Sequence, residues 1–149
     1  QIKSEIGYDT GRFIDIMSAP LRLINTAWVY DKFTKTLFTS DMFTYALSDD
    51  KDGPWILEKD DIICESQFIK SFMLNTRYWW LEGAKTRILR ENIRRVFDEY
   101  DISTIAPGYG KIFRGRELVE KEFKKLDTIL AEVDFSKVKA HYIARNHLR

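Results

Sequence analysis

In the first third of the chain apolar and polar positions alternate in part, within a stretch rich in β-branched and aromatic residues, and after residue 54 they take a helical period. The pattern therefore predicts strands first and helices afterwards. Residues 4–8 read as an extended segment that runs into Asp9-Thr10-Gly11, a turn signal of the Asp/Gly type. Residues 12–17 alternate for part of their length and read as a strand. Residues 27–30 read as a third strand, closed by the polar pair Asp31-Lys32, and residues 36–39 as a fourth. Trp28, Val29, Tyr30, Thr36 and Phe38 supply the β-branched and aromatic character that suits a pleated surface.

Residues 48–54, Ser-Asp-Asp-Lys-Asp-Gly-Pro, form a loop, and the period changes after it. Ile62, Ile63, Phe68, Ile69 and Phe72 stand near helical spacing, with no clear start signal. Ile88, Ile93, Val96, Phe97 and Tyr100 mark an amphipathic helix over residues 85–100, with Arg87, Arg90, Glu91, Arg94 and Arg95 on its wet side. Residues 103–106 are a short strand stopped by Pro107-Gly108. Leu118, Phe123, Leu126, Ile129 and Leu130 define a further helix over residues 116–132, and residues 136–146 are a mostly polar segment open to helix. Strands, helices, one strand, helix is the order of an α+β or layered αββα-type fold. Five strands with helices only towards the end leave one sheet face thinly covered, which points to a missing partner or missing sequence. Residues 1–133 are taken as one domain and residues 134–149 as a polar C-terminal segment.

Composition narrows the function classes. With 24 basic and 23 acidic residues the net charge is +1, so the chain has no strong electrostatic footprint for nucleic acid or an anionic membrane. No apolar run reaches the roughly 20 residues of a membrane helix, and no signal peptide is visible. The expectation is a cytoplasmic protein. The chain opens on Gln1 rather than Met, and its first residues are expected to be missing or processed. Cys64 is the only cysteine, which excludes an internal disulfide and a thiolate cluster and reads as an inert buried thiol.

Other candidates have bland readings that outweigh sharp ones. His141 and His147 stand six apart, off one helix face, in a polar tail, and read as solvated. Asp49, Asp50 and Asp52 lack the Glu that a calcium loop of the EF-hand type requires. Tyr78, Trp79 and Trp80 are an aromatic cluster suited to stacking a ligand, but core packing or an interface is the better reading. Glu91, Asp98 and Glu99 interleave the arginines of the 85–100 helix, so local ion pairs are the default there. Residues 107–110 have glycines but no Lys-Ser/Thr to make a phosphate loop.

Two segments carry a family resemblance. Residues 30–43, Tyr-Asp-Lys-Phe-Thr-Lys-Thr-Leu-Phe-Thr-Ser-Asp-Met-Phe, resemble the metallo-β-lactamase pattern Leu-Phe-Ser/Thr-Gly-Asp-x-Phe, whose Asp bridges two metals. Residues 105–115, Ile-Ala-Pro-Gly-Tyr-Gly-Lys-Ile-Phe-Arg-Gly, are similar to the family's Ile-x-Pro-Ser/Gly-His-Gly-x-Ile-Trp/Phe-Arg, whose His is a ligand. The Ile-Phe-Arg tail and Arg77-Tyr78-Trp79 favour the flavodiiron and oxygen-binding diiron type. With Ser18-Ala19-Pro20 upstream, the resemblance spans about residues 5 to 125. It implies a mixed sheet with flanking helices, the second half of the domain.

The departures lie at the metal. The family's His-x-Glu/His-x-Asp-His motif is absent; Arg22, or Leu23 under another gap, falls where a further His ligand belongs; and Tyr109 occupies the final His position. Asp41 alone matches. One carboxylate cannot hold two dications, a phenol stays protonated near neutral pH, and a guanidinium repels a metal. Two readings of Asp41 stay open: Arg22 replaces the metal as its counter-ion, with Tyr109 joining the network, or Asp41 caps a turn while Arg22 faces solvent.

The resemblance therefore implies a degenerate domain with a structural, sensory or assembly role, without cofactor by itself. Its rivals are a part of a diiron oxygen- or nitric-oxide-reducing or oxygen-binding protein and a metallo-hydrolase, with di-iron or zinc held by ligands supplied elsewhere. The partner expected is a second copy or the missing N-terminal half, with neither nucleic acid nor membrane.

Overall fold

The computed structural model describes residues 3–7, 11–22, 24–59 and 65–134. Cys64, His141, His147, Ile62, Ile63, Leu23, the Asp9-Thr10 turn and the polar segment from residue 135 onward lie outside the described residues.

Four strands form an antiparallel meander: β1 (Lys3–Gly7), β2 (Phe13–Ser18), β3 (Ala27–Asp31) and β4 (Thr36–Ser40). A short strand β5 (Ile56–Leu57) follows, then α1 (Ser66–Asn75), one 3-10 turn (Trp79–Leu81) and α2 (Arg87–Glu99). The chain re-enters the sheet as β6 (Thr104–Pro107), turns into β7 (Ile112–Arg114) and ends the described part as α3 (Arg116–Asp134). The order across the single mixed sheet is β1-β2-β3-β4-β6-β7-β5, with β6 parallel to β4 and β5 parallel to β7. This is the α+β architecture expected of half a metallo-β-lactamase-like domain. Among the described residues the sheet has seven strands rather than five, because β5 and β7 are two and three residues long, too short to show a period.

Register explains which face is buried. Tyr30 pairs with Leu37, and Leu37 with Ile105, which pairs in turn with Phe113. These residues, with Trp28 and Met17, are buried. They meet Ile69 and Met73 of α1, Ile93 and Val96 of α2, and Leu118, Val119, Leu126, Ile129 and Leu130 of α3 in one core. The Tyr30 ring lies 4.6 Å from that of Tyr100 at the end of α2, and its hydroxyl donates to the Asp101 carbonyl at 2.9 Å.

The intervening positions lie on the other face. Ile16 pairs with Val29, Val29 with Phe38, and Phe38 with Ala106. Phe38 is 46% exposed, Ile56 at the far edge is 38% exposed, and Ile14, Ile16, Val29, Ala106 and Ile112 are half-buried. An apolar stripe thus crosses the sheet on the side opposite the helix-packed core.

Polar ties fix the helices. Thr86, just before α2, donates its hydroxyl to the Leu130 carbonyl at 2.5 Å, and Arg90 and Arg94 both clasp Asp127 of α3. Buried Glu122 of α3 accepts from the Tyr45 hydroxyl and pairs with Lys125 at 2.7 Å. The charged partners of Asp127 and Glu122 stabilise carboxylates that would be costly to bury alone.

Candidate functional site

The C-terminal ends of the parallel pair β4 and β6 are where the two motifs meet. Thr39 donates its hydroxyl to the Met42 carbonyl at 2.9 Å, and the Met42 N–H returns to the Thr39 carbonyl at 3.1 Å, so the chain turns sharply after β4. Ser40 and Phe43 adopt left-handed backbone, with φ of 52° and 63°. Ser40 stands where the family pattern has Gly, the residue that takes this conformation without strain. On the other strand, Gly108 donates its N–H to the Ser40 carbonyl at 2.7 Å, and a Cβ there would come within 3.1 Å of the same oxygen. The two loops are locked in contact, and Asp41 and Tyr109 project from them.

A third segment closes the site. The Tyr78 N–H bonds the Met73 carbonyl at 2.9 Å, which ends α1 and swings Arg77 over the β4 turn. Arg77 Nη1 lies 2.9 Å from Asp41 Oδ1, and Arg77 Nε donates to the Tyr109 hydroxyl at 3.2 Å. The guanidinium also stacks 5.4 Å from the centre of the Tyr109 ring. The hydrogen bond with Tyr109 first, and further the charge of Asp41, raise the Arg77 pKa. Beneath them Tyr78 is buried, and its hydroxyl has no partner among the described residues. Burial chiefly, and then the charge of Asp41, push its pKa up.

Of the three residues singled out from the sequence, two are brought together and one is not. Asp41 and Tyr109 share one guanidinium, but it belongs to Arg77. Arg22 lies instead in a cleft with Ser18, Asn92 and Arg95 and makes no ion pair among the described residues. The proposed Arg22 counter-ion is thus corrected to Arg77, from the segment after α1. Arg77-Tyr78-Trp79 stood out in the sequence as a family signature. No spacing rule, however, links residues 41, 77 and 109, which only the fold makes neighbours. The aromatic cluster also divides, since Tyr78 is core, Trp80 is half-buried against it and Trp79 is 65% exposed.

A metal pair does not fit these residues. Asp41, the one carboxylate, already has a cation at contact distance, which would repel a dication. Tyr109 offers a phenol oxygen already accepting from Arg77. The space beside Asp41, between the β4 turn and the end of α1, is about 10 Å³, room for about one water. Among the described residues no group of three or more His, Cys, Asp or Glu side chains converges as metal ligands. Nor, among them, is any helix long and apolar enough to cross a membrane.

No protein-family model and no curated protein matches the chain. Solved structures do. The apo state of the chemotaxis sensor ODP from T. denticola is similar over 99% of this chain and 52% of its own, at TM-score 0.53 and 15% identity. The peroxy diiron species of the sensor ODP matches over 89% and 49%, at 0.50 and 14%. Rubredoxin oxygen:oxidoreductase from the anaerobe Desulfovibrio gigas matches over 83% and 28%, at 0.56 and 14%. The chain spans about half the length of the sensor structures and just over a quarter of the oxidoreductase. With the two motifs in order along it, the fold of this chain is that of the metallo-β-lactamase superfamily.

Proposed function

We propose that this chain is a non-catalytic metallo-β-lactamase-fold half-domain, acting as a structural, sensory or assembly module, in which an ion pair has taken the metal's place. The observation that carries this reading is the 2.9 Å contact between Arg77 and Asp41, with Tyr109 on the same guanidinium. A carboxylate left without its metals needs a cation, and a planar guanidinium on two partners supplies one in fixed geometry. The site is thereby converted from one that recruits an ion to one that braces three loops. The apolar stripe through Val29 and Phe38 suits a second layer, from another copy or a further segment, because such a face is unfavourable in water.

The experiment is elemental analysis of the purified chain, produced with iron and zinc supplied. The expected result is far less than one metal per chain. About two iron atoms per chain would overturn the reading.

A second reading is supported by the share of the sensor and oxidoreductase lengths that the chain spans. Here the chain is part of a diiron oxygen- or nitric-oxide-reducing or oxygen-binding protein completed by another segment or subunit. That complex would carry iron with its own absorbance spectrum. A zinc-loaded complex would indicate a metallo-hydrolase instead.

A further inference from the structure

Nine arginines fall among the described residues, and seven of them pair with a carboxylate. These are Arg12 with Asp31, Arg77 with Asp41, Arg87 with Glu91, Arg90 and Arg94 with Asp127, Arg114 with Glu58, and Arg116 with Asp101. The other two, Arg22 and Arg95, have no acidic partner among the described residues, and both line the same cleft. Their coincidence is not a matter of sequence proximity. Arg22 comes from the connection between β2 and β3, which the Ala19 N–H to Thr26 carbonyl bond at 3.3 Å folds back on itself. Arg95 comes from α2, on a flank shared with Asn92 three residues earlier.

The rest of the lining fits the same chemistry. Ser18 at the end of β2 and Asn92 on α2 are half-buried, and neither side chain has a hydrogen-bond partner among the described residues. Ala19 and Pro20 complete the wall, and no carboxylate among the described residues lines the cleft. Two guanidiniums, an amide and a hydroxyl thus line one cleft of about 280 Å³ with no anionic group among the described residues to balance them. We propose that this cleft binds a phosphoryl group. A phosphate near neutral pH carries almost two negative charges, which matches two cations, and its tetrahedral oxygens can accept from the forks, the amide and the hydroxyl in different directions. A single carboxylate would neutralise only one guanidinium. The site is distinct from the Asp41–Arg77–Tyr109 cluster and is independent of whether that cluster ever meets a metal.

The test is titration of the intact chain with inorganic phosphate at low ionic strength, followed by calorimetry and by the arginine side-chain resonances. Saturable binding that shifts the Arg22 and Arg95 signals is expected, and Arg22→Gln or Arg95→Gln should each weaken it about tenfold or more. Both residues are exposed, so neither variant threatens folding, and Arg87→Gln on the same helix should bind as the parent does. Glycerol phosphate is the second arm. Tighter binding than inorganic phosphate assigns the cleft to phosphomonoesters, and equal or weaker binding assigns it to the free ion. No saturable binding, or equal loss in the Arg87→Gln control, would overturn the proposal.

Discussion

Replacing Arg77 with Met tests how the site holds together, because one change removes an ion pair and a ring contact while keeping the aliphatic stem. The Asp41 side chain is 18% exposed and that of Arg77 41% exposed, so the pair lies between the solvated and buried limits. Solvated pairs contribute about 0.2–1 kcal/mol, whereas hydrogen bonds to charged groups reach about 1.5–3 kcal/mol. About 1 kcal/mol is reasonable for the pair at 2.9 Å once screening is allowed for. The guanidinium over Tyr109 adds about 0.5–1 kcal/mol. Arg77→Met should therefore lower stability by about 1.5–2 kcal/mol in urea unfolding, read as a lower midpoint at constant slope. Asp41→Asn should cost about 1 kcal/mol, and the double variant should fall short of the sum by about 1 kcal/mol. Arg77→Lys should restore only part of the loss, since an ammonium lacks the fork that reaches Asp41 and Tyr109 together. A coupling energy indistinguishable from zero would refute the claim that Arg77 and Asp41 meet in solution.

Acid stability turns on Asp31. The hydrogen bond from Arg12, before all other causes, holds this buried carboxyl at about 2 against its usual 3.8. Because the folded pKa is depressed, its contribution is complete above about pH 4 and is lost as the pH falls towards 2. Arg12→Gln should flatten that part of the stability profile, by about 1 kcal/mol given the half-exposed Arg12; an unchanged profile between pH 2 and 4 would show the pair is not formed. On the bare sheet face, Phe38→Asp should lower the stability of the isolated chain by about 1–2 kcal/mol, from the lost half-burial of the ring and the poor strand propensity of Asp. The same change should lower the mass seen by light scattering from that of an assembly to that of one chain. A parent protein already monomeric at micromolar concentration would remove the support for assembly through this face.

The parts of the fold legible in the sequence are those where a local period meets a buried face. Residues 12–17 alternate for part of their length and residues 27–30 and 36–39 are rich in aromatic and β-branched side chains, which suits strands β2, β3 and β4 that each turn one side to the helices, and Ile93 with Val96 marks the inner stripe of α2. The expectation of a thin second face was also local in origin, since every long helix follows the fourth strand in sequence. What eluded the pattern had no period to display. β5 is an edge pair, Ile56 and Leu57, that joins the sheet by parallel bonding to β7, and β7 is three residues hidden inside the motif that ends in Ile-Phe-Arg.

The site was half legible, and the reason lies in what a motif records. Asp41 and Tyr109 could be named because each occupies a fixed place in a strand-to-loop pattern, and the loops carrying both are locked by the Gly108 N–H on the Ser40 carbonyl. A ligand motif, however, specifies positions that once converged on an ion, and it says nothing about which cation enters when the ion is gone. Electrostatics demands only that some cation reach Asp41. Arg22 and Arg77 satisfy that demand equally on paper, and the choice is made by α1, whose termination at the Met73 carbonyl delivers Arg77 to the β4 turn. Arg22 lies instead with Arg95 in a cleft that no carboxylate lines among the described residues. With Asp41 paired to Arg77, the positive charges of Arg22 and Arg95 have no acidic partner among the described residues, and the phosphate titration asks whether they hold a ligand.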